Sequence, residues 1–177
     1  MDNTARRHYR HIAVHPVAGA LGAEVRGVDI ARPLEDEVIA EVRQAFLDHL
    51  VVFIRDQKLT PQAQLAFAQR FGQPMEYPQL KGLPECPLVT PVVKLEHERV
   101  NFGHTARFRD WTEQESAPLL DYLFMHQVKP EFTCRFHWEP GSLAFWDNRC
   151  AQHYPVNDYH GFRRVMHRVT LAGDTPR

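Results

Sequence analysis

Hydrophobic residues recur along this chain with two different periods, and the pattern predicts which segments are helices and which are strands. Over residues 34–50 the apolar positions follow the i, i+3, i+4 spacing of an amphipathic helix. Residues 51–54 form a short, wholly apolar run, which is typical of a buried strand. A second helix is predicted after Thr60, with Pro61 at its first position and Gly72 at its end.

The rest of the chain is predicted to be richer in strands. Residues 11–30 read as a strand pair that turns near Gly22, and Thr112 with Glu115 three residues later is the capping box of a helix over 112–127. Further strands are predicted over 88–93, 132–138, 142–146 and 164–171. Helices toward the N-terminus, together with strands that pair toward the C-terminus, favour an α+β fold.

Length and charge exclude several classes of function. The chain has 177 residues, which suits one domain, and 21 basic against 22 acidic residues give a net charge of −1. We therefore expect no bulk attraction to nucleic acid or to an anionic membrane. No apolar run approaches the roughly 20 residues that span a bilayer, and the N-terminus lacks the apolar core of a signal peptide. Three cysteines without metal-type spacing predict reduced thiols in a cytoplasmic protein.

Candidate chemistry is concentrated near the C-terminus. The apolar strand 142–146 ends in a polar turn that delivers His153, and Arg164 and Arg168 follow on the next apolar strand. A neutral imidazole is a good ligand for a transition metal, and a guanidinium is a natural clamp for a carboxylate. The alternatives are an ordinary half-buried histidine and two arginines that serve as surface or salt-bridged strand charges. We expect Asp147 to be structural and to hold the turn.

Motifs in both halves of the chain resemble the taurine dioxygenase (TauD/TfdA) family, in the order in which that family has them. The C-terminal motifs are Trp146-Asp147-Asn148-Arg149, Gln152-His153-Tyr154 and Arg164-Val165-Met166-His167-Arg168; the N-terminal ones are Gly22-Ala23-Glu24-Val25, Gly27-Val28-Asp29, 51–57 and 67–72. Members of this family are Fe(II)- and 2-oxoglutarate-dependent oxygenases built on a double-stranded β-helix, the clavaminate-synthase-like jelly roll, with flanking helices. The resemblance makes His153 a metal ligand and Arg164 the residue that binds the distal carboxylate of 2-oxoglutarate. Arg168 matches a position that meets an anionic substrate or supports the site.

The middle of the chain departs from the family pattern. The family places its first two metal ligands in a His-x-Asp motif, which completes a two-histidine, one-carboxylate triad. Here the run Val100-Asn101-Phe102-Gly103 resembles the segment just before that motif, but the next residues, from His104, resemble a segment well after it. Compared with a family length of about 250 residues, about a hundred residues are skipped. We interpret residues 1–177 as one domain with an internal deletion near 101–104, an incomplete jelly roll that lacks two of its three metal ligands. A natural in-frame deletion, a splice-like or gene-model artefact and an engineered change are all compatible with this sequence.

Two local sequences imitate the missing ligand pair. His137-Trp138-Glu139 is formally His-x-Glu, and both ligand-type side chains would share one face of a strand. We expect no metal site there, because in the family this strand lies upstream of the ligand histidine and contributes none. The run Glu96-His97-Glu98 alternates faces on a strand and is interpreted as a solvated edge.

The substrate is constrained weakly by two positions. In the sulfonate-using members a histidine that touches the anion lies where Tyr77 falls here, and an aromatic pocket residue lies where His104 falls. Tyrosine can donate a hydrogen bond but carries no charge near neutral pH. The resemblance therefore implies a small organic anion as substrate, with Tyr77 and His104 as substrate-binding positions and with taurine itself in doubt.

Three functional hypotheses follow. The first is an Fe(II)/2-oxoglutarate dioxygenase, by ancestry, with His153 as ligand and Arg164 as co-substrate clamp. The second is a catalytically inactive remnant, which we favour for the chain as written, and which would form a homo-oligomer through bare strand edges. The third is a metal-free module in which Arg164 and Arg168 bind a small anion.

Overall fold

The structure is a computed structural model that describes residues 8–76, 80–94, 107–156, 159 and 161–173. Within these ranges three helices and two β-sheets are present. The strands are β1 (Ala13–Pro16), β2 (Ala23–Arg26), β3 (Val51–Ile54), β4 (Pro74–Met75), β5 (Val89–Lys94), β6 (Leu143–Trp146) and β7 (Arg164–Leu171); the helices are α1 (Asp36–His49), α2 (Pro61–Gln69) and α3 (Glu113–Gln127). This mixture of helices and sheets agrees with the predicted α+β class.

The first sheet has the strand order β1-β2-β3-β6. β1 and β2 are the antiparallel pair predicted from residues 11–30, β3 joins β2 in parallel, and β6 runs antiparallel to β3. In the last pair Val51 lies opposite Trp146 and Ile54 lies opposite Leu143. All four residues of β3 are buried, as expected of a central strand with apolar side chains on both faces.

The second sheet has the order β4-β7-β5. β5 pairs with β7 over six residues, from Val89 opposite Val169 to Lys94 opposite Arg164. β4 contributes only Pro74 and Met75, which pair with the last two residues of β7. One side of β7 is therefore paired with β5 from Arg164 to Val169, and the other is paired with a strand only at its C-terminal end.

The helices begin where their capping residues predict. Thr60 accepts a hydrogen bond from the Ala63 amide at 3.1 Å and starts α2 with Pro61 at its first position. Thr112 and Glu115 form both hydrogen bonds of the predicted capping box at the start of α3. α2 ends at Gln69, slightly before the predicted end at Gly72.

Residues 132–138 were predicted to be a strand, and that prediction is wrong. A short 3-10 turn covers Pro130–Phe132, and the following residues pair with no strand in the described chain. The segment is held by side chains instead of a backbone ladder. Phe136 stacks on Phe53 with ring centroids 4.0 Å apart, and the His137 carbonyl accepts a hydrogen bond from Arg55.

The hydrophobic core lies between the first sheet and the first two helices. Its buried members come from β2, β3, α1, α2 and the adjoining loops: Ile12, Val25, Val28, Ile30, Ile39, Val42, Ala45, Val52, Ile54 and Phe67. β6 reaches this core through Phe145, whose ring contacts Phe46 at 4.4 Å and Phe71 at 4.8 Å between centroids. β6, although it lies near the C-terminal end of the chain, thus packs against a core formed by the N-terminal half.

The C-terminal half of the described chain is packed far less completely. From residue 107 onward, Ser116 and Leu120 are the only buried residues among those described. Large apolar side chains that stay exposed there are Trp111, Leu119, Tyr122, Leu123, Met125, Val128, Phe132, Trp138, Tyr154, Val156, Phe162 and Val165. Because stabilisation by burial scales with the apolar area removed from water, most of it comes from the N-terminal half.

An ion-pair network joins the first sheet to the loop before β6. Glu24 on β2 accepts hydrogen bonds from Arg55 at 2.8 Å and from Arg26 at 2.7 Å. Arg55 also lies 3.4 Å from Glu139 and stacks over the ring of Phe136. The two guanidinium groups, Arg55 first, lower the pKa of Glu24 below its ordinary value of 4.5.

This network predicts a pH-dependent contribution to stability. The depressed pKa of Glu24 means that its contribution is present above about pH 4.5 and is lost as the pH falls through the lower, folded-state pKa. Glu24→Gln should therefore lower the free energy of unfolding at neutral pH, and the difference from the parent should shrink in acid. Urea unfolding between neutral pH and pH 3 measures it. The exposed Glu131→Gln is the control, and a difference that stayed constant with pH would contradict the prediction.

Candidate functional site

A tight turn after β6 positions the predicted metal ligand. The Asp147 carboxylate accepts a hydrogen bond from the backbone N–H of Arg149 at 2.8 Å, and the Asp147 carbonyl accepts from Cys150 and Ala151. The Arg149 guanidinium binds the same carboxylate and holds the pKa of Asp147 below its usual value. The predicted structural role of Asp147 is confirmed, and the turn directs the chain toward His153.

His153 lies against the end of β6. Its ring centroid is 5.1 Å from that of Trp146, and the Trp146 indole N–H donates to the Asn148 side-chain oxygen at 2.8 Å. Although His153 is exposed as a residue, partial burial of its ring, and then the positive charge of Arg168, lower the pKa of the imidazole below its ordinary value. At neutral pH the ring is therefore neutral, the form that can bind a metal.

β7 places its two predicted arginines on one face. Burial alternates along the strand: Arg164, Met166 and Arg168 are half-buried, whereas Val165 and His167 are exposed. This is the period of two expected of a strand with one covered face. The positive charge of Arg168 contributes to the lowered pKa of His153.

Arg164 has the surroundings of an anion-binding residue. Its guanidinium carbon lies 5.4 Å from the centroid of the Tyr159 ring. Its Nε atom is buried, and no acceptor for this N–H is present among the described residues. Since a buried donor without an acceptor is costly, a carboxylate of a bound molecule would satisfy it. The residues present thus fit the distal carboxylate of 2-oxoglutarate.

The residues present do not fit an iron site. Within the described ranges, no group of three or more His, Cys, Asp and Glu side chains could hold a metal ion. Glu139 of the sequence His137-Trp138-Glu139 lies beside Arg55, which also binds the His137 carbonyl. Glu96-His97-Glu98 lies outside the described residues. Among the described residues, His153 is therefore a ligand-type side chain without the partners that a facial triad requires.

Two predicted site residues cannot be placed, and two contacts were not predicted. Tyr77 and His104, the proposed substrate-binding positions, both lie outside the described residues. The contact of Tyr159 with Arg164 could not be predicted from the sequence. Tyr159 precedes β7, so the periodicity of the strand does not relate the two positions. The packing of Trp146 on His153 could have been anticipated from their positions at the two ends of one polar turn.

Comparison with a family model covers both halves of the chain. The model described as "Taurine catabolism dioxygenase TauD, TfdA family" matches residues 13–96 and 87–170, as two stretches. None of the described helices has the length and apolar character needed to cross a bilayer.

Comparisons with individual proteins point to the same family. The chain is 25% identical to the alpha-ketoglutarate-dependent sulfate ester dioxygenase of Pseudomonas putida over an alignment of 277 positions, gaps included, which covers 96% of this chain and 92% of the relative. It is 41% identical to the alkylsulfatase of Acinetobacter baylyi over 91 residues, 51% of this chain and 29% of that protein. The crystal structure of a taurine dioxygenase from Burkholderia xenovorans superposes with a TM-score of 0.75 at 25% identity, covering 94% and 91% of the two chains. Because the family model matches most of the chain, including His153 and the two arginines, the chain belongs to the TauD/TfdA family of taurine-catabolism dioxygenases.

Proposed function

We propose that this chain descends from an Fe(II)/2-oxoglutarate-dependent dioxygenase of small organic anions and retains only part of its active site. The proposal is supported by three features: Arg164 and Arg168 share one face of β7, the charge of Arg168 affects the pKa of His153, and no group of three or more metal-ligating side chains is present among the described residues. One imidazole cannot hold iron in a facial site. The chain as written is therefore a catalytically inactive remnant.

The missing ligands are explained by an internal deletion near residues 101–104 within a single domain, 1–177. The family model matches in two stretches, and alignment with the Pseudomonas putida relative runs over 277 positions although this chain has 177 residues. The poor burial after residue 107 supports the same view, because the missing segment would cover that surface. Sequencing the gene across the codons for Asn101 to His104 tests the proposal; an interrupted or longer reading frame would show that the deletion is not native.

The two sheets are, on this proposal, the remaining strands of a double-stranded β-helix. β6 ends the first sheet and β7 has one side that is paired with a strand only at Pro74–Met75. Strands from the missing segment would pair with these edges and join the sheets into a jelly roll. The similarity to the Burkholderia xenovorans structure supports this architecture.

The substrate class proposed for the ancestral enzyme is a small sulfate ester or sulfonate. The names of the Pseudomonas putida and Acinetobacter baylyi relatives support it, since both act on organic sulfates. Tyr77 and His104 would contact the substrate, and Arg168 would supply positive charge at its side of the site. We place this activity in the cytoplasm. The ancestral enzyme would use 2-oxoglutarate, bound by Arg164, as its co-substrate. Only a relative with all three ligands would hold iron.

A second candidate function is metal-free binding of a small dicarboxylate, which the buried Nε atom of Arg164 favours. A charge-assisted pair of this kind contributes about 3 kcal/mol at most, so the dissociation constant should be about millimolar or weaker. Titration with 2-oxoglutarate or succinate, followed by NMR, should shift resonances of residues 160–170 without iron.

Neighbouring arginines supply the control for this titration. Arg164→Ala should abolish the shifts, whereas Arg163→Ala should retain them, because Arg163 is exposed on the chain just before β7. Absent shifts in the parent, or equal shifts in the Arg164→Ala variant, would show that the clamp was lost with the missing segment.

A further inference from the structure

The edge strands of the two described sheets are not equally protected against pairing with another chain. Proline, which lacks a backbone N–H, is a common protection of sheet edges. It is present in three of the four edge strands, as Pro16 in β1, Pro74 in β4 and Pro91 in β5. β6, the fourth edge strand, has the sequence Leu-Ala-Phe-Trp, with neither proline nor charge.

The incompletely paired side of β7 is protected in another way. His167 lies opposite Pro91 in the ladder, and Pro91 has no N–H to donate, so His167 directs its backbone groups away from β5. The Gln64 side chain of α2 donates to the His167 carbonyl at 3.1 Å. α2 therefore occupies part of that edge.

β6 has no comparable cover among the described residues. One of its edges pairs with β3, and no described strand or side chain binds the backbone of the other. In an antiparallel ladder alternate residues direct both backbone groups to the same side, so two of these four residues direct theirs outward. The four residues of the strand are each half-buried, and Phe145 joins the strand to the core.

The sequence of β6 suits pairing with a copy of itself. An antiparallel pair centred on Ala144 would set Ala144 against its own copy and Leu143 against Phe145, an aliphatic residue opposite an aromatic one. Trp138, 45% exposed, extends this apolar surface through Phe136, which stacks on the β3 neighbour of Ala144. A net charge of −1 offers little repulsion between copies.

We propose that two copies of this chain associate through β6, about a two-fold axis, into one continuous eight-stranded sheet. Such an interface is isologous, because the same strand supplies both sides. The partner that fits this edge is thus a second copy of the chain, and the first sheet is the unit that is extended.

Sedimentation and hydrogen exchange on the full chain test the proposal together. The sedimentation coefficient should rise to that of a dimer with increasing concentration. Over the same range, amide protection should increase in a peptide that contains Leu143–Trp146 and stay constant in peptides from α1. A monomer at every concentration, or a dimer without added protection in β6, would overturn the proposal.

Two lysine substitutions test whether the chains associate through β6 or through another edge strand. Ala144→Lys would place like charges near each other across the pair, so the dimer dissociation constant should rise at least about tenfold. Val93→Lys is the matched control on β5, where Val93 is 42% exposed, and it should leave association unchanged. Thermal unfolding verifies that both variants fold; should Ala144→Lys fail to fold, the exchange experiment on the parent decides. Equal association of folded Ala144→Lys and parent would contradict the assignment to β6.

Discussion

Succinate release should rise from the no-protein background to a turnover on the order of 1 per second or more when the central segment that we propose to be deleted is supplied. The change is insertion, between Asn101 and His104, of the corresponding segment of the Acinetobacter baylyi alkylsulfatase, in which the family pattern predicts a His-x-Asp motif. The restored ligands would complete the triad with His153, and Arg164 would orient 2-oxoglutarate. Succinate is measured with iron(II), 2-oxoglutarate and an alkyl sulfate.

The unmodified chain is the first control in that assay and should stay at background. In the restored chain, His153→Ala should abolish turnover, Arg164→Ala should raise the KM for 2-oxoglutarate, and Arg163→Ala should change neither. Iron-dependent succinate release by the unmodified chain, lost on His153→Ala, would show that the chain is an active enzyme as it stands.

The second large effect concerns stability and follows from the uneven burial. Ile54 in β3 is 2% exposed, and truncation to alanine should lower the free energy of unfolding by about 2–5 kcal/mol. Val165 in β7 is 48% exposed, and Val165→Ala should cost less than about 1 kcal/mol. Urea unfolding followed by circular dichroism measures both. Since domains are stable by only about 5–15 kcal/mol, Ile54→Ala could remove much of the total.

Two further variants test whether the loss of unfolding free energy differs between the N-terminal and C-terminal halves of the molecule. Val42→Ala, in the buried face of α1, should behave like Ile54→Ala, and Leu123→Ala, on the exposed side of α3, should behave like Val165→Ala. Equal costs for all four substitutions would mean that the C-terminal half is packed as tightly as the N-terminal half, contrary to the structure.

Local chemistry made much of the fold predictable. β3 follows from four consecutive apolar residues, and the start of α3 follows from Thr112 and Glu115, which satisfy each other's backbone amides. Residues 132–138 could not be predicted in the same way. Phe136 is fixed by stacking on Phe53, a residue far away in the chain. Alternating side chains can pack against a sheet without joining its ladder, and periodicity does not distinguish the two cases.

The candidate site was predictable where a strand and a turn impose positions. A period of two along β7 places Arg164 and Arg168 on one face, and Asp147 predicts the turn that leads to His153. The contact between Tyr159 and Arg164 was not predictable, because it depends on how the loop before β7 folds back. The same holds for Glu139, whose carboxylate lies beside Arg55 because two distant segments meet.

The place of β6 in the first sheet has a consequence during synthesis on the ribosome. β3 needs β6 as its second neighbour, yet the chain must be extended from Ile54 to Leu143 before that neighbour exists. At roughly 5–20 residues per second, the apolar edge of β3 stays open for several seconds while the N-terminal helices and hairpin can already fold. We therefore expect the yield of folded protein to depend on translation speed through residues 55–142 and on chaperones that bind extended apolar segments.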